Sequence, residues 1–139
     1  MIDIELAAET DLVEIFFAAG LPGFPNARRF TMTTWGGPDS PFMMLSDIDD
    51  PDIGFVVVTP WVFYPDYEFE LDNATAERLN LHTSQDAVVM CVVTLGQRAE
   101  DATVNLLGPI VVNRNTLEAC QTVLVKGAYQ VRTPLASTA

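Results

Sequence analysis

Few side chains in this sequence are of a kind that performs chemistry, and their spacing argues against most of the reactions they suggest. His82 is the only histidine, and the nearest cysteine in sequence, Cys91, sits within the apolar run Val-Met-Cys-Val-Val. A zinc site needs several His, Cys or carboxylate ligands at tight spacing, which this pair does not supply. Burial would raise the Cys91 thiol pKa rather than activate it, so a Cys91–His82 nucleophilic pair is not expected. Cys120, in Glu-Ala-Cys-Gln-Thr-Val-Leu, reads the same way. Both are expected as free, buried thiols of a reduced protein rather than as a disulfide. The acidic segment Asp47-Ile-Asp-Asp-Pro-Asp52 invites a calcium reading. Numbered from Asp47, however, the loop places Pro51 at position 5, Asp52 at position 6 and Val58 at position 12. A helix-loop-helix calcium site needs an oxygen ligand, Gly and Glu at those positions, so a solvated turn is expected instead. Gly20-Leu-Pro-Gly23 is no phosphate cradle, because proline removes an N–H that a phosphate would use. No Gly-x-Ser-x-Gly elbow is present. No catalytic residue, metal ligand or cofactor is expected.

The stretch that organises the chain runs from Phe55 to Leu71. It opens as a continuous apolar, β-branched run, the pattern of a strand buried on both faces. Pro60 and Pro65 interrupt it, since proline cannot donate to a sheet ladder. Trp61, Phe63, Tyr64, Tyr67 and Phe69 crowd the region around them. Asp66, Glu68 and Glu70 alternate with Tyr67, Phe69 and Leu71, so an extended backbone turns the carboxylates one way and the apolar groups the other. A surface of this kind suits a protein partner better than a substrate. Two plainer readings stand beside it: the aromatic corner is core, and the carboxylates protect an edge strand from aggregation.

The elements that must position this stretch are short. Ile2, Ile4 and Leu6 alternate with acids as a half-buried strand, and Leu12 to Phe17 reads as a second. Gly20 to Pro25 forces a turn. Arg28 to Trp35 is a strand with Phe30, Met32 and Thr34 on one face, stopped by Gly36-Gly-Pro-Asp39; Phe42 to Leu45 follows. A short helix is expected within 72–80, with Asn73 as cap and Leu79 facing inward. Ala87 to Leu95 is the most apolar run and must be a central strand. After a polar loop over 97–102, strands are expected at Thr103–Leu107, Ile110–Asn113, Thr122–Lys126 and Ala128–Arg132. The tail from Pro134 to Ala139 is expected to fray. Helix-length crossovers are missing, which excludes parallel βαβ units. The expected fold is mostly β: a single domain over 1–139, antiparallel and barrel-like, closed on one core, with one short helix.

Charge narrows the function classes. The net charge is −12, and residues 1–80 carry 15 Asp and Glu against 3 Arg, while residues 81–139 carry 4 of each sign. That balance opposes direct binding of nucleic acid or of an anionic membrane, both of which need Lys and Arg. It favours a basic partner, or serves solubility alone. The start of the chain has no basic region or signal-length apolar segment, and no run approaches the roughly 20 apolar residues of a membrane helix. A cytoplasmic protein is expected.

Six motifs then converge: Gly20-Leu-Pro-Gly-Phe24, Ser40-Pro-Phe42, Phe55-Val-Val-Val-x-Pro60, Phe63-Tyr-Pro-Asp-Tyr-Glu68, Thr103-Val-Asn-Leu-Leu-Gly-Pro-Ile-Val-Val-Asn113 and Tyr129-x-Val-Arg-x-Pro-Leu135. In this order, over nearly the whole chain, they resemble the flagellar assembly factor FliW family. Tyr64 departs from the pattern, which more often carries a second Phe there. The resemblance implies a small, non-enzymatic β-barrel-like protein of the bacterial cytoplasm. It implies binding to flagellin and to the translational regulator CsrA, which represses flagellin synthesis until the protein captures it. Aromatic anchors beside charge are what interface hot spots contain. The contact surface is therefore placed at Phe63, Tyr64, Asp66, Tyr67, Glu68 and Glu70, with Asn105 and Asn113 as neighbours across the sheet. For the two asparagines a local reading is also open, in which their amides cap the Gly108-Pro109 connection. The rival function is a carrier holding a small ligand inside the barrel, which requires an apolar cavity.

Overall fold

The computed structural model describes residues 2–5, 14–37, 39–124 and 129–135. Among the described residues seven strands form a closed ring: β2 (Glu14–Phe17), β3 (Arg29–Thr34), β4 (Phe42–Asp47), β5 (Gly54–Val58), β7 (Ala87–Thr94), β9 (Ile110–Asn113) and β10 (Glu118–Gln121). Neighbours run in the order β7-β5-β4-β3-β2-β10-β9, and the β7–β9 pairing closes the circle. An odd number of strands cannot alternate direction all the way round, so one pairing must be parallel. It is β10 with β2, where Glu118 faces Phe16. β7 is the longest strand and serves three partners. One edge pairs with β5, and the other carries β9 along Ala87–Met90 and then β8 (Thr103–Val104) at Val93 and Thr94. β11 (Thr133–Pro134) adds to β8. A separate ribbon pairs β1 (Ile2–Glu5) with β6 (Glu68–Leu71).

Two apolar layers exist rather than the one expected. The barrel interior is filled from all seven strands by Ile15, Phe17, Phe30, Met32, Leu45, Val57, Val88, Met90, Ile110, Val112 and Ala119. The carrier reading needed a hollow in this place and meets packed side chains. A second layer lies outside the wall formed by β5, β7 and β9. There Val56, Val58, Ala87, Val89, Cys91, Val93 and Val111 are covered by Trp61, Tyr67, Phe69, Leu71, Leu79 and Leu135. Burial on both faces is why Val56–Val58 and Ala87–Val93 print as unbroken apolar runs.

The helix is α1 (Asn73–Arg78), and its cap is Asp72 rather than Asn73, with the Thr75 N–H donating to the Asp72 carboxylate. Asn80 ends it in a left-handed conformation, φ 55°. The Leu81 N–H donates to Ala76 and the Asn80 N–H to Glu77, the paired bonds of a Schellman stop. The Asp47–Asp52 segment is a turn between β4 and β5, as its composition suggests. The Asp47 carboxylate accepts from the Asp49 N–H at 3.0 Å and that of Asp50 from the Asp52 N–H at 3.1 Å, while Asp49 pairs with Arg29 at 2.9 Å. Gly20 opens the expected turn at φ 70°, where a Cβ would meet the Pro25 carbonyl oxygen at 2.5 Å, so only glycine fits.

Several expected boundaries move. The Thr103–Leu107 strand stops at Val104. The strand expected over Thr122–Lys126 lies earlier, at Glu118–Gln121, and residues 122–124 and 129–132 are irregular. The tail does not begin to fray at Pro134: that residue pairs with Thr103, and Leu135 is buried in the outer layer. Residues 136–139 lie outside the described residues, as do 125–128, Leu6, Leu12 and Val13.

Candidate functional site

The aromatic corner grows from the end of β5. A single 3-10 turn spans Pro60–Val62, and the Phe63 and Tyr64 N–H groups both donate to the Pro60 carbonyl. Pro65 then presets the backbone of a second turn, closed by the Tyr67 N–H donating to Tyr64 at 3.0 Å. Two consecutive turns bring the chain back over the barrel wall, and Trp61 fastens them: its Nε1 donates to the Tyr67 carbonyl oxygen at 2.6 Å. Tyr67 is itself only 2% exposed, its ring 4.7 Å from Tyr129 and 5.9 Å from Trp61. Its hydroxyl donates to the Leu106 carbonyl oxygen at 2.7 Å. Burial holds this phenol neutral well above its ordinary range and pushes the neighbouring Cys91 thiol up to about 12. Neither group is poised to react.

The C-terminal segment straps the corner down. Tyr64 donates its hydroxyl to the Pro134 carbonyl oxygen, and the Glu68 N–H donates to the Tyr129 hydroxyl at 3.1 Å. The Gln130 carbonyl oxygen accepts from both Leu106 and Leu107. Three tyrosines thus keep an apolar body in the outer layer and spend their hydroxyls on backbone groups 39 to 70 residues away in sequence.

Of the residues placed at a contact surface from sequence, the structure exposes Asp66, Glu68 and Glu70 and half-buries Phe63 and Tyr64. Tyr67 is corrected: the same alternation that turns the carboxylates outward turns its ring into the core. Asn113 is corrected as well, being 2% exposed with its amide fully engaged. Its Nδ2 donates to Leu79 at 2.7 Å and Asn80 at 3.3 Å, and its Oδ1 accepts from Asn115 at 2.8 Å and Thr116 at 3.3 Å. It ties the end of α1 to the β9–β10 hairpin. Asn105 follows the local reading, with its Oδ1 accepting from Leu107 at 3.1 Å and Gly108 at 2.9 Å, at the Gly-Pro connection. The two asparagines are not neighbours. Asn113 pairs with Ala87 and the Asn105 N–H meets Val92, five positions along β7, or about 17 Å.

What the structure does assemble is an acidic rim. The β1–β6 register sets Glu5 opposite Glu68 and Asp3 opposite Glu70, so acidic positions face each other across the ribbon. Sequence reasoning missed an adjoining row of rings. Trp35, Phe42 and Phe63 follow one another at centroid distances of 6.2 Å and 5.9 Å. The signal was present: Trp35 and Phe42 flank the Gly36–Pro41 loop, and a hairpin sets such residues opposite each other. Among the described residues, no group of three or more His, Cys, Asp or Glu could hold a metal ion, and no helix is long and apolar enough to cross a membrane.

The family described as FliW protein matches residues 3–135 of this chain. The flagellar assembly factor FliW of Bacillus subtilis (strain 168) is 39% identical over 121 residues, covering 87% of this chain and 84% of its own length. That of Clostridium novyi (strain NT) is 39% identical over 127 residues, covering 91% and 87%. A crystal structure of the flagellar assembly factor FliW superposes with a TM-score of 0.83 at 29% identity, over 92% of this chain and 89% of that one.

Proposed function

This chain belongs to the FliW family of flagellar assembly factors, and on that premise we propose that it works in the cytoplasm by docking proteins rather than by catalysis. Its partners in this reading are flagellin and the translational regulator CsrA. Binding of flagellin leaves CsrA free to repress flagellin synthesis, and release of flagellin lets the protein capture CsrA and lift that repression. The observation that carries the reading is the exposed carboxylate row Asp66, Glu68 and Glu70, held on a corner whose aromatic and backbone groups are locked from behind. An RNA-binding regulator is basic, and a fixed acidic rim favours encounter with it at low salt. Phe63 and Tyr64, half-buried beside the rim, supply apolar contact. Tyr67 and Asn113 act from beneath the surface, holding it in shape.

The test is capture of purified flagellin and purified CsrA on the immobilised protein, each alone and then in competition. Capture of both, with the CsrA complex weakened as salt rises from about 0.05 to 0.3 M, supports the reading. Capture of neither refutes it.

A further inference from the structure

We propose that the row Trp35–Phe42–Phe63, extended by Val62, is an apolar docking strip for a partner segment whose apolar stripe is flanked by Lys or Arg. Trp35 is 36% exposed and Val62, next in the chain to Phe63, is 56% exposed. Large apolar side chains scattered singly on a surface carry no meaning, but Trp35 is the exposed end of a row of touching rings. Trp35 meets Phe42 edge-on, and Phe42 meets Phe63, so the row runs from a hairpin mouth to the aromatic corner.

The strip is held rigid before any partner arrives. The Trp35 N–H donates to the Phe42 carbonyl oxygen at 3.0 Å, closing the β3–β4 hairpin. Gly36 and Gly37 take φ of 94° and 106°, conformations that side-chain-bearing residues rarely adopt. The Ser40 hydroxyl accepts from the Phe42 N–H at 3.1 Å. A tryptophan on a backbone held in this way, with its ring packed edge-on against Phe42, loses less freedom on binding than a free side chain, which favours its use as an anchor.

Charge selects the occupant. From Phe30 to Glu77 the chain holds ten Asp and Glu and no Lys, Arg or His. Asp39 stands in the hairpin loop beside Trp35, and Asp66 stands three residues from Phe63, both exposed. A second copy of this chain would bring another −12 to the same place and be repelled. A segment with basic flanks gains where a second copy loses.

The inference rests on the reading of this chain as a docking scaffold, and the two fail separately. The probe is a fluorescein-labelled peptide of about eighteen residues, with leucine at helical spacing and lysine elsewhere. Its counterpart carries glutamate in place of lysine. Anisotropy should show the lysine peptide binding and the glutamate peptide not. Trp35→Ala and Val62→Ser should each weaken binding about tenfold. Phe16→Ser, at a comparably exposed position on β2 outside the row of rings, should leave it within about twofold. Binding that ignores both Trp35 and Val62, or that Phe16→Ser weakens equally, overturns the strip. A dimer in sedimentation velocity that Trp35→Ala abolishes also overturns it, in favour of contact between copies. Peptide binding that depends on both residues, with neither flagellin nor CsrA captured, upholds the strip and refutes the functional reading.

Discussion

The barrel has two walls built from the same kind of strand and used in opposite ways. On β2 and β3 the inner face is buried while the outer one carries Glu14, Phe16, Arg29 and Thr33 into solvent. On β5, β7 and β9 both faces are buried, because the aromatic corner, β6, α1 and the C-terminal strap lie over the outside. The cover differs from the barrel interior in chemistry as well as in position. The interior is aliphatic with a few rings, and volume alone specifies it. The cover is fastened by directional bonds from Trp61, Tyr64, Tyr67, Asn113 and Tyr129 to backbone groups. Apolar packing makes the domain stable; the directional bonds fix where the acidic rim and the ring strip point.

The largest expected effect is therefore a truncation that crosses from cover to wall. Tyr67→Ala removes a buried ring and orphans the Leu106 carbonyl, and it should cost about 3–5 kcal/mol in urea unfolding. Phe16→Ala, on the bare wall, should cost under about 1 kcal/mol. Equal losses would erase the contrast. Asn113→Ala comes next. It leaves the Leu79 carbonyl and the hairpin N–H groups without the amide, and should cost about 2–3 kcal/mol, with Asn113→Asp recovering only the hairpin part.

A smaller effect follows from pH. Burial raises the Cys91 thiol to about 12 in the fold, whereas the unfolded chain loses this proton near about 8.5. Above that point the unfolded state binds fewer protons, so stability must fall as pH rises. The stabilisation is complete below about pH 8, and the slope is at most about 1.4 kcal/mol per pH unit, continuing toward 12. Tyr67, raised by the same burial, adds to the loss above about pH 10. Urea midpoints between about pH 7 and 10.5 should fall in the wild type and fall less in Cys91→Ala.

The same contrast explains what could be read from the sequence. Val56–Val58 and Ala87–Val93 were legible because burial on two faces leaves an unbroken apolar run. Glu118–Gln121 was not, since four residues with Glu at one end and Gln at the other carry no usable period. The β8 strand was read too long because Val104 and Leu106 keep alternating with polar or half-buried positions, while Asn105 takes the Leu107 and Gly108 N–H groups away from any ladder. At the site, the outward Glu68 and Glu70 followed from alternation, whereas Asp66 is outward because it stands in the Tyr64–Tyr67 turn. The inward role of Tyr67 was written in that alternation too. The Asn113 anchor to α1 was not, because the carbonyls its Nδ2 reaches lie 33 and 34 residues away. Tertiary distance of that kind leaves no local mark.

Titration calorimetry of CsrA against the wild type and against Glu68→Lys/Glu70→Lys tests the central claim most directly. Both substitutions lie on the exposed face of β6, so the melting temperature should hold. The account predicts CsrA binding to the wild type and at least about tenfold weaker binding to the double variant at low salt. Equal affinity for both proteins, with the fold intact, would contradict it.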